Sequence, residues 1–420
     1  MRIIHTSDWH LGQFFVNKSR LQEHQKFIAW LLQQVVEKDV DAVIIAGDIF
    51  DTGAPPSYAR ELYNQFVIGM NNLGRQLIIL AGNHDSVSTL NESKAILAQL
   101  KTQVIASASD DLEEQVLRLK DKQGEVGAIV CAIPYLRPRD IMQSYAGESG
   151  EQKQQALGKA ISEHYQNVFQ LAESKRSSLD YNVPIIATGH LTAMGVKTSE
   201  SVRDIYIGNL EAFPASEFPA ADYIALGHIH RPQRVAKSEH IRYCGSPIPL
   251  SFDELGSEKQ VLLAEFSAGK LLKVEPILIP LFQPMKVIKG NLKAIEEQLI
   301  AFPDDAVSDD SDKNINLATW LSIEVETEDY LNDLQQRIQV LTEGMNVEVL
   351  QLRRARKQQQ QRIEREDKEL LAELTPSDVF ERRLATEIFD SDDELKRVAR
   401  LRQSFKEIVS ELKTELNDED

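Results

Sequence analysis

Cysteine is scarce: Cys131 and Cys244 are the only two in 420 residues. Two thiols build no disulfide framework and fit a reducing compartment. No apolar run approaches the ~20 residues that a membrane-crossing helix needs. The N-terminus starts on a strand-like Ile3-Ile4 and lacks the basic-then-apolar order of a secretory signal. These absences point to a soluble, cytoplasmic protein with no membrane contact. No Gly-x-x-x-x-Gly-Lys-Ser/Thr occurs, which excludes ATP binding through a P-loop, and no internal repeat is present. Basic residues are outnumbered, 47 Lys and Arg against 65 Asp and Glu, for a net charge of -18. That balance argues against a protein that grips nucleic acid with a broadly basic surface. It leaves open attraction through bound divalent cations or local basic patches.

The chain can bury a sizeable core, because 42% of residues are hydrophobic. The length suggests roughly two or three domains. Five short fragments rich in Asp, Asn or His each follow an apolar, β-like run. They are Asp8-Trp9-His10, Gly47-Asp48-Ile49-Phe50-Asp51, Gly82-Asn83-His84-Asp85, Gly189-His190 and Gly227-His228-Ile229-His230. In an extended chain, residues i and i+2 point to the same side, so Asp8 and His10 would grip one ion from a strand end.

Between these runs the spacing turns helical. Leu21, Phe27, Ile28, Leu31, Leu32, Val35 and Val36 give residues 19–38 one buried face. Pro55-Pro56-Ser57 opens a second helix, with Leu62, Phe66 and Met70 inward and Gly74 as its stop. Strand, ligand-rich loop, helix, strand is the signature of an α/β layered domain, whose sites collect at strand C-termini. A hairpin is expected over 112–133 and a helix over 151–175. Strands at 241–244, 261–266 and 271–279 would complete a second sheet in antiparallel fashion, and the domain would close at Pro280.

A small α+β unit is expected over 281–352, with strands at 285–288, 320–325 and 347–352 and helices at 291–302 and 329–342. The acidic, Ser-rich stretch 304–312 reads as a loop. Residues 353–420 read as a helical tail. It starts at the basic cluster 353–357, and an amphipathic stretch from Leu395 to Leu416 lacks a domain of its own to bury it.

Carboxylates, one carboxamide and imidazoles, with no thiolate, suit Mn²⁺, Fe²⁺ or Zn²⁺ and disfavour a structural zinc site. The ligands are too many for one ion. Two ions about 3.5–4 Å apart, sharing a carboxylate, would use them all and clamp an in-line displacement at phosphorus. Asn83 adds an uncharged oxygen, which keeps the site positive enough for a phosphate. The glycines before Asp48, Asn83, His190 and His228 would let the backbone turn sharply.

The five fragments, in this order, resemble the calcineurin-like metallophosphoesterase family over about residues 1–270. The resemblance implies a two-sheet sandwich flanked by helices. It also implies Asp8, His10, Asp48 and His230 around a first metal and Asp48, Asn83, His190 and His228 around a second, with Asp48 bridging. His84 would face the scissile phosphate, and Asp51 would orient His84 or a ligand. Ser7-Asp8-Trp9-His10-Leu11-Gly12, His228-Ile229-His230-Arg231-Pro232 and the segment from Tyr243 to Glu254 with its Gly245-Ser246-Pro247 narrow the likeness. They resemble the family's bacterial DNA-repair nucleases, which work with a coiled-coil ATPase. That likeness implies Mn²⁺-dependent 3′-to-5′ exonuclease and single-strand or hairpin endonuclease action, a DNA-contacting cap at 281–352, a homodimer, and a tail docking on the ATPase. On the residues alone, a phosphoesterase acting on a small-molecule or protein phosphoester remains the alternative, and a non-catalytic scaffold a third.

Other residues draw plainer readings. His5 belongs to the first strand as a structural residue, and His24, His164 and His240 fall outside every motif as surface or packing groups. Trp9 and Phe50 suit a core or pocket wall as well as a base-stacking role. Phe14 and Phe15 precede Asn17-Lys18 in an exposed-looking loop, open to packing or to DNA.

Overall fold

Ile4, Val43, Ile45, Leu77 and Ile79 point to one side of their strands, and Ile3, Ile44 and Ile78 to the other; all are buried. A strand apolar on both faces must be covered on both, which forces a layered α/β arrangement. The computed structural model describes residues 1–142, 150–202, 212–301, 317–326 and 334–354, and the single positions Leu401 and Phe405. In chain order its first part comprises β1 (Arg2–Thr6), a short hairpin β2 (Phe14–Phe15) and β3 (Lys18–Ser19), α1 (Leu21–Glu37), β4 (Ala42–Ala46), α2 (Ser57–Asn72), β5 (Gln76–Leu80), α3 (Val87–Asn91), α4 (Lys94–Gln99) and β6 (Thr102–Ile105). Then come β7 (Val116–Lys120), β8 (Val126–Cys131), α5 (Pro138–Ile141), α6 (Gly150–Ser177), β9 (Ile185–His190), β10 (Tyr223–Gly227), β11 (Gln233–Arg234), β12 (Ile241–Tyr243), β13 (Gln260–Ser267) and β14 (Lys270–Leu278).

Two six-stranded sheets result, ordered β14-β13-β1-β4-β5-β6 and β11-β12-β10-β9-β8-β7. Ile3, Ile44, Ile78, Val130, Ile186 and Ala225 fill the space between them. Phe27, Leu31, Phe66 and Met70, from α1 and α2, cover the outer face of the first sheet. Ile161, Tyr165 and Val168 of α6 cover that of the second. The expected two-sheet sandwich with flanking helices is therefore present.

The expected sheet membership differs in one respect. β13 and β14 do not join the second sheet; β13 pairs antiparallel with β1, Ile3 facing Ala264. β12 does join the second sheet, antiparallel to β11 and parallel to β10. The reason lies in β1, which is buried and pairs with β4 on one side only. Its other edge would leave unpaired backbone groups in the interior, and the hairpin of β13 and β14 satisfies them.

β15 (Met285–Gly290), α7 (Leu292–Ile300), β16 (Thr319–Val325), α8 (Leu334–Thr342) and β17 (Val347–Arg354) follow. The three strands form an all-parallel sheet, each neighbour reached through a helix. Ile288, Ile295, Leu321, Ile323 and Ile338 give this sheet its own core. A separate cluster of Phe15, Phe252, Met285 and Trp320 joins it to the sandwich. Trp320 stacks on Phe15 at 5.7 Å, with the buried Arg20 guanidinium against both rings. Arg20 is held in turn by Glu23 and by the Pro249 carbonyl at 2.8 Å. Phe15 is thus a packing residue, while Phe14 is exposed. Residues 1–355 make one compact unit. The loop 304–312, the start of the helix expected at 329, and the tail beyond Arg354 apart from Leu401 and Phe405 lie outside the described residues. Among the described residues, no helix is long and apolar enough to cross a membrane.

Candidate metal centre

All five ligand-bearing fragments sit at the C-terminal ends of β1, β4, β5, β9 and β10. The first does not act as an extended strand end. β1 stops at Thr6, and Asp8 and His10 both have left-handed backbones, with φ of 55° and 47°. The loop continues alongside the next fragment instead: Asp8 donates its N–H to the Gly47 carbonyl, His10 to Asp48, and Leu11 to Ile49. Asp48 and His228 also have positive φ, at 50° and 91°. Four candidate ligands thus occupy a region that non-glycine residues avoid, a strain that concentrates at functional sites.

The glycines serve two ends. Gly47 does turn, with φ of 92°. Gly82, Gly189 and Gly227 do not; each leaves room. A Cβ on Gly82 would lie 2.1 Å from the Asp48 carboxylate, and one on Gly227 would lie 1.8 Å from the Ala46 carbonyl oxygen. The expectation of a sharp turn at all four is corrected to one turn and three close approaches.

Asp48 is the hub. Its Oδ1 accepts the His84 N–H at 2.9 Å, and its Oδ2 lies 3.2 Å from His190 Nε2 and 3.6 Å from His10 Nε2. Three overlapping trios have ligand atoms mutually within 4.8 Å: Asp8, His10 and His230; His10, Asp48 and His84; and Asp48, His190 and His228. Asn83 Oδ1 lies 2.9 Å from His190 Nε2 and 3.2 Å from His228 Nδ1. The structure brings together every residue the sequence picks out, and His84 and Asp51 lie beside them. His84 Nδ1 donates to the Asp51 backbone carbonyl at 2.8 Å. The Asp51 carboxylate instead faces His10 Nδ1 at 3.3 Å. Asp51 therefore touches both partners considered for it, with different atoms.

The electrostatics suit a cation. Burial alone would lower the His190 pKa, but Asp48 and then Asp8 raise it to about 9. His10 is likewise raised, Asp51, Asp48 and Asp8 outweighing its burial. Burial would raise Asp48, yet His190, His10 and His84 hold its carboxyl well below the usual range. His228 is pushed well below the ordinary histidine value by burial and by His190. Carboxylates that draw protons onto buried imidazoles will also draw a divalent ion, and metal binding would displace those protons. Moreover, His10 Nε2 and His228 Nε2 are buried without a hydrogen-bond partner among the described residues. Such orphaned atoms cost about 1–3 kcal/mol each, and bound cations would satisfy them. The residues present therefore fit a dimetal cluster. Cys244 Sγ lies 3.0 Å from Ser7 Oγ, burial pushes its thiol up, and it belongs to none of the three trios.

Spacing alone did not reveal the supports. Asp85, raised to about 6 by burial and then by Asp48, accepts N–H groups from Ile49, Phe50 and Gly82 and so ties the loops after β4 and β5 together. Glu254 lies inside the Gly-Ser-Pro segment and reaches His230, yet no ligand-like spacing marks it. His5 bridges the sheets, with Nδ1 2.9 Å from the Tyr223 hydroxyl and Nε2 3.2 Å from the Leu226 carbonyl. Its plain structural reading stands. His24 and Trp9 are buried packing residues, Trp9 edge-on to Phe27 and Phe66.

The chain as a whole is similar to known proteins. Residues 1–232 match the calcineurin-like phosphoesterase family, and residues 281–387 match the family described as type 5 capsule protein repressor C-terminal domain. The SbcD subunit of the SbcCD nuclease of Escherichia coli strain K12 is 53% identical over 394 residues, 94% of this chain and 95% of its own. Its namesake in Rhodobacter capsulatus is 34% identical, over 69% of this chain and 71% of that one. That of Bacillus subtilis is 28% identical, over 79% and 81%. Among solved structures, a dimetal phosphatase from Danio rerio aligns over 67% of this chain and 99% of its own, at 10% identity and a TM-score of 0.38, a likeness that says nothing of the site. The resemblance of the five fragments is thereby borne out: the chain belongs to the calcineurin-like phosphoesterases and, among them, to the SbcD family of SbcCD nucleases.

Proposed function

We propose that this chain is the nuclease subunit of an SbcC–SbcD type complex, hydrolysing DNA phosphodiester bonds with two divalent metal ions, Mn²⁺ in preference. The observation that carries the reading is the gathering of Asp8, His10, Asp48, Asn83, His190, His228 and His230 at the strand ends of one sandwich. Asp8, His10, Asp48 and His230 would hold one ion, and Asp48, Asn83, His190 and His228 the other. When bound, the ions supply Lewis-acid stabilisation of the charge that builds at phosphorus and acidify an attacking water.

The protein's own part is positioning and proton transfer. His84 keeps its Nδ1 on the Asp51 carbonyl, so its Nε2 is the atom that serves the phosphate or protonates the leaving oxygen. The strained loops hold the ligands at fixed spacing before substrate arrives. The substrates are duplex ends, cut 3′ to 5′, with hairpins and single strands cut internally. Residues 281–352 would contact DNA as a cap, and residues 353–420 would dock on the coiled-coil ATPase, which supplies the ATP chemistry this chain lacks. Two copies would meet through the early helices, where Val36 and Ile68 are exposed. A cytoplasmic location fits this role.

The test is cleavage of linear and hairpin-ended DNA in Mn²⁺, with and without the ATPase and ATP. His84→Ala should abolish cutting while two bound metal ions remain by metal analysis. Cutting at the wild-type rate, or a strong preference for phosphomonoesters over DNA, would reject the reading. Deleting 353–420 should leave Mn²⁺-dependent cutting of single strands and abolish recovery with the ATPase in a pull-down.

A further inference from the structure

Glu254 and Lys259 are a charged pair with essentially no solvent exposure at Glu254, buried beneath His230. Taking such a pair out of water costs several kcal/mol unless its hydrogen bonds are complete. Here they are. Glu254 Oε2 accepts from Lys259 Nζ at 2.6 Å, from the Leu250 N–H at 3.1 Å and from Ser246 Oγ at 3.3 Å. Its Oε1 accepts from Ser199 Oγ at 2.9 Å and from Ser201 Oγ. That same Oε1 lies 3.3 Å from His230 Nδ1, and Ser201 Oγ lies 2.6 Å from it. Lys259 meanwhile donates to the His230 backbone carbonyl at 3.1 Å, and the Ser246 N–H donates to it at 3.2 Å.

His230 is therefore held at ring and backbone by one network. With Nδ1 engaged on the outside, Nε2 is the atom left for the trio with Asp8 and His10. His10 has the same arrangement, with the Asp51 carboxylate behind its Nδ1. A carboxylate behind a ligating imidazole fixes its orientation and raises its basicity toward metal. We infer that Glu254, working with Ser201 and Lys259, is a positioning residue for the ion held by Asp8, His10 and His230, and that the Gly-Ser-Pro segment exists in this chain to place it there. The inference rests on the reading of His230 as a ligand.

Calorimetric titration of the full chain with Mn²⁺ tests it. In Glu254→Gln, one of the two ions should bind about 10–100-fold more weakly and the other unchanged. DNA cutting should recover as Mn²⁺ is raised by the same factor. A purely structural carboxylate would lower thermal stability without splitting the two affinities, and wild-type binding of both ions would overturn the inference. Because a glutamine facing buried Lys259 can prevent folding, Ser201→Ala decides in that case. It removes one hydroxyl and should weaken the same ion several-fold; no weakening overturns the inference. His230→Ala separates the two levels. If it still binds two ions with wild-type affinity, the underlying ligand assignment fails. If it loses one while Glu254→Gln loses none, only the positioning role fails.

Discussion

The two ends of the ligand cluster are supported by different materials. At one end, side chains stand behind the proposed ligands: Ser7 on Asp8, Asp51 on His10, and Ser201 with Glu254 on His230. At the other end the backing is backbone. His190 donates its Nδ1–H to the Ala46 carbonyl at 2.9 Å, and Gly82 and Gly227 clear the space in which the loops close. An end backed by side chains is adjustable: changing one polar group alters affinity without touching a ligand. An end backed by backbone has no such handle, and only added volume disturbs it.

Asp48 belongs to both ends, so its loss should have the largest effect. Asp48→Ala is expected to lower DNA cleavage by on the order of 10³-fold, with both Mn²⁺ ions lost in metal analysis. Retention of either ion at wild-type affinity would detach Asp48 from that end. Gly227→Ala comes next and strikes the backbone-supported end. Its new methyl meets the Ala46 carbonyl oxygen and the His190 ring. The strand end must shift, at a cost of about 1–3 kcal/mol in chemical denaturation, and the ion at His190 and His228 should weaken preferentially.

Asp51→Asn addresses the other end. It removes the charge behind His10 while leaving the backbone carbonyl that holds His84. Affinity for one ion should fall about 10–100-fold with the second unaffected, as read by Mn²⁺ titration. If Gly227→Ala and Asp51→Asn weaken the same ion, the contrast between the ends dissolves.

The sheets beneath both ends are joined by neutral His5, whose pKa burial lowers to about 3. An unfolded histidine titrates near 6.5, so below that value the unfolded chain binds the extra proton. The stability tied to this group is whole above about pH 6.5 and is lost as pH falls toward 3. The slope is about 1.4 kcal/mol per pH unit while only the unfolded form is charged. Denaturation midpoints of wild type should therefore fall more steeply between pH 6.5 and 5 than those of His5→Gln, and parallel slopes would contradict the assignment.

Most of this site could be read from the chain, because apolar runs ending in Asp, Asn and His mark both the strands and their open ends. Asp8, Asp48 and His228 were visible for that reason. What could not be read depends on distance through space. The second partner of β1 is β13, some 260 positions on, and no local pattern says which free edge a hairpin will cover. The same holds for Glu254: an acidic residue beside Asp253 looks like surface until it is seen buried against Lys259 and His230. Three of the four glycines were recognised as necessary for the wrong reason, since sequence shows that a side chain is missing but not what would collide with it. Asp8 and His10 were paired by strand geometry, yet they meet because two left-handed residues bend a loop.

The most direct test is an anomalous difference map from crystals of this chain grown with Mn²⁺. Two peaks are expected, one among Asp8, His10, Asp48 and His230 and one among Asp48, Asn83, His190 and His228. A single peak, or density lying away from Asp48, would contradict the dimetal account.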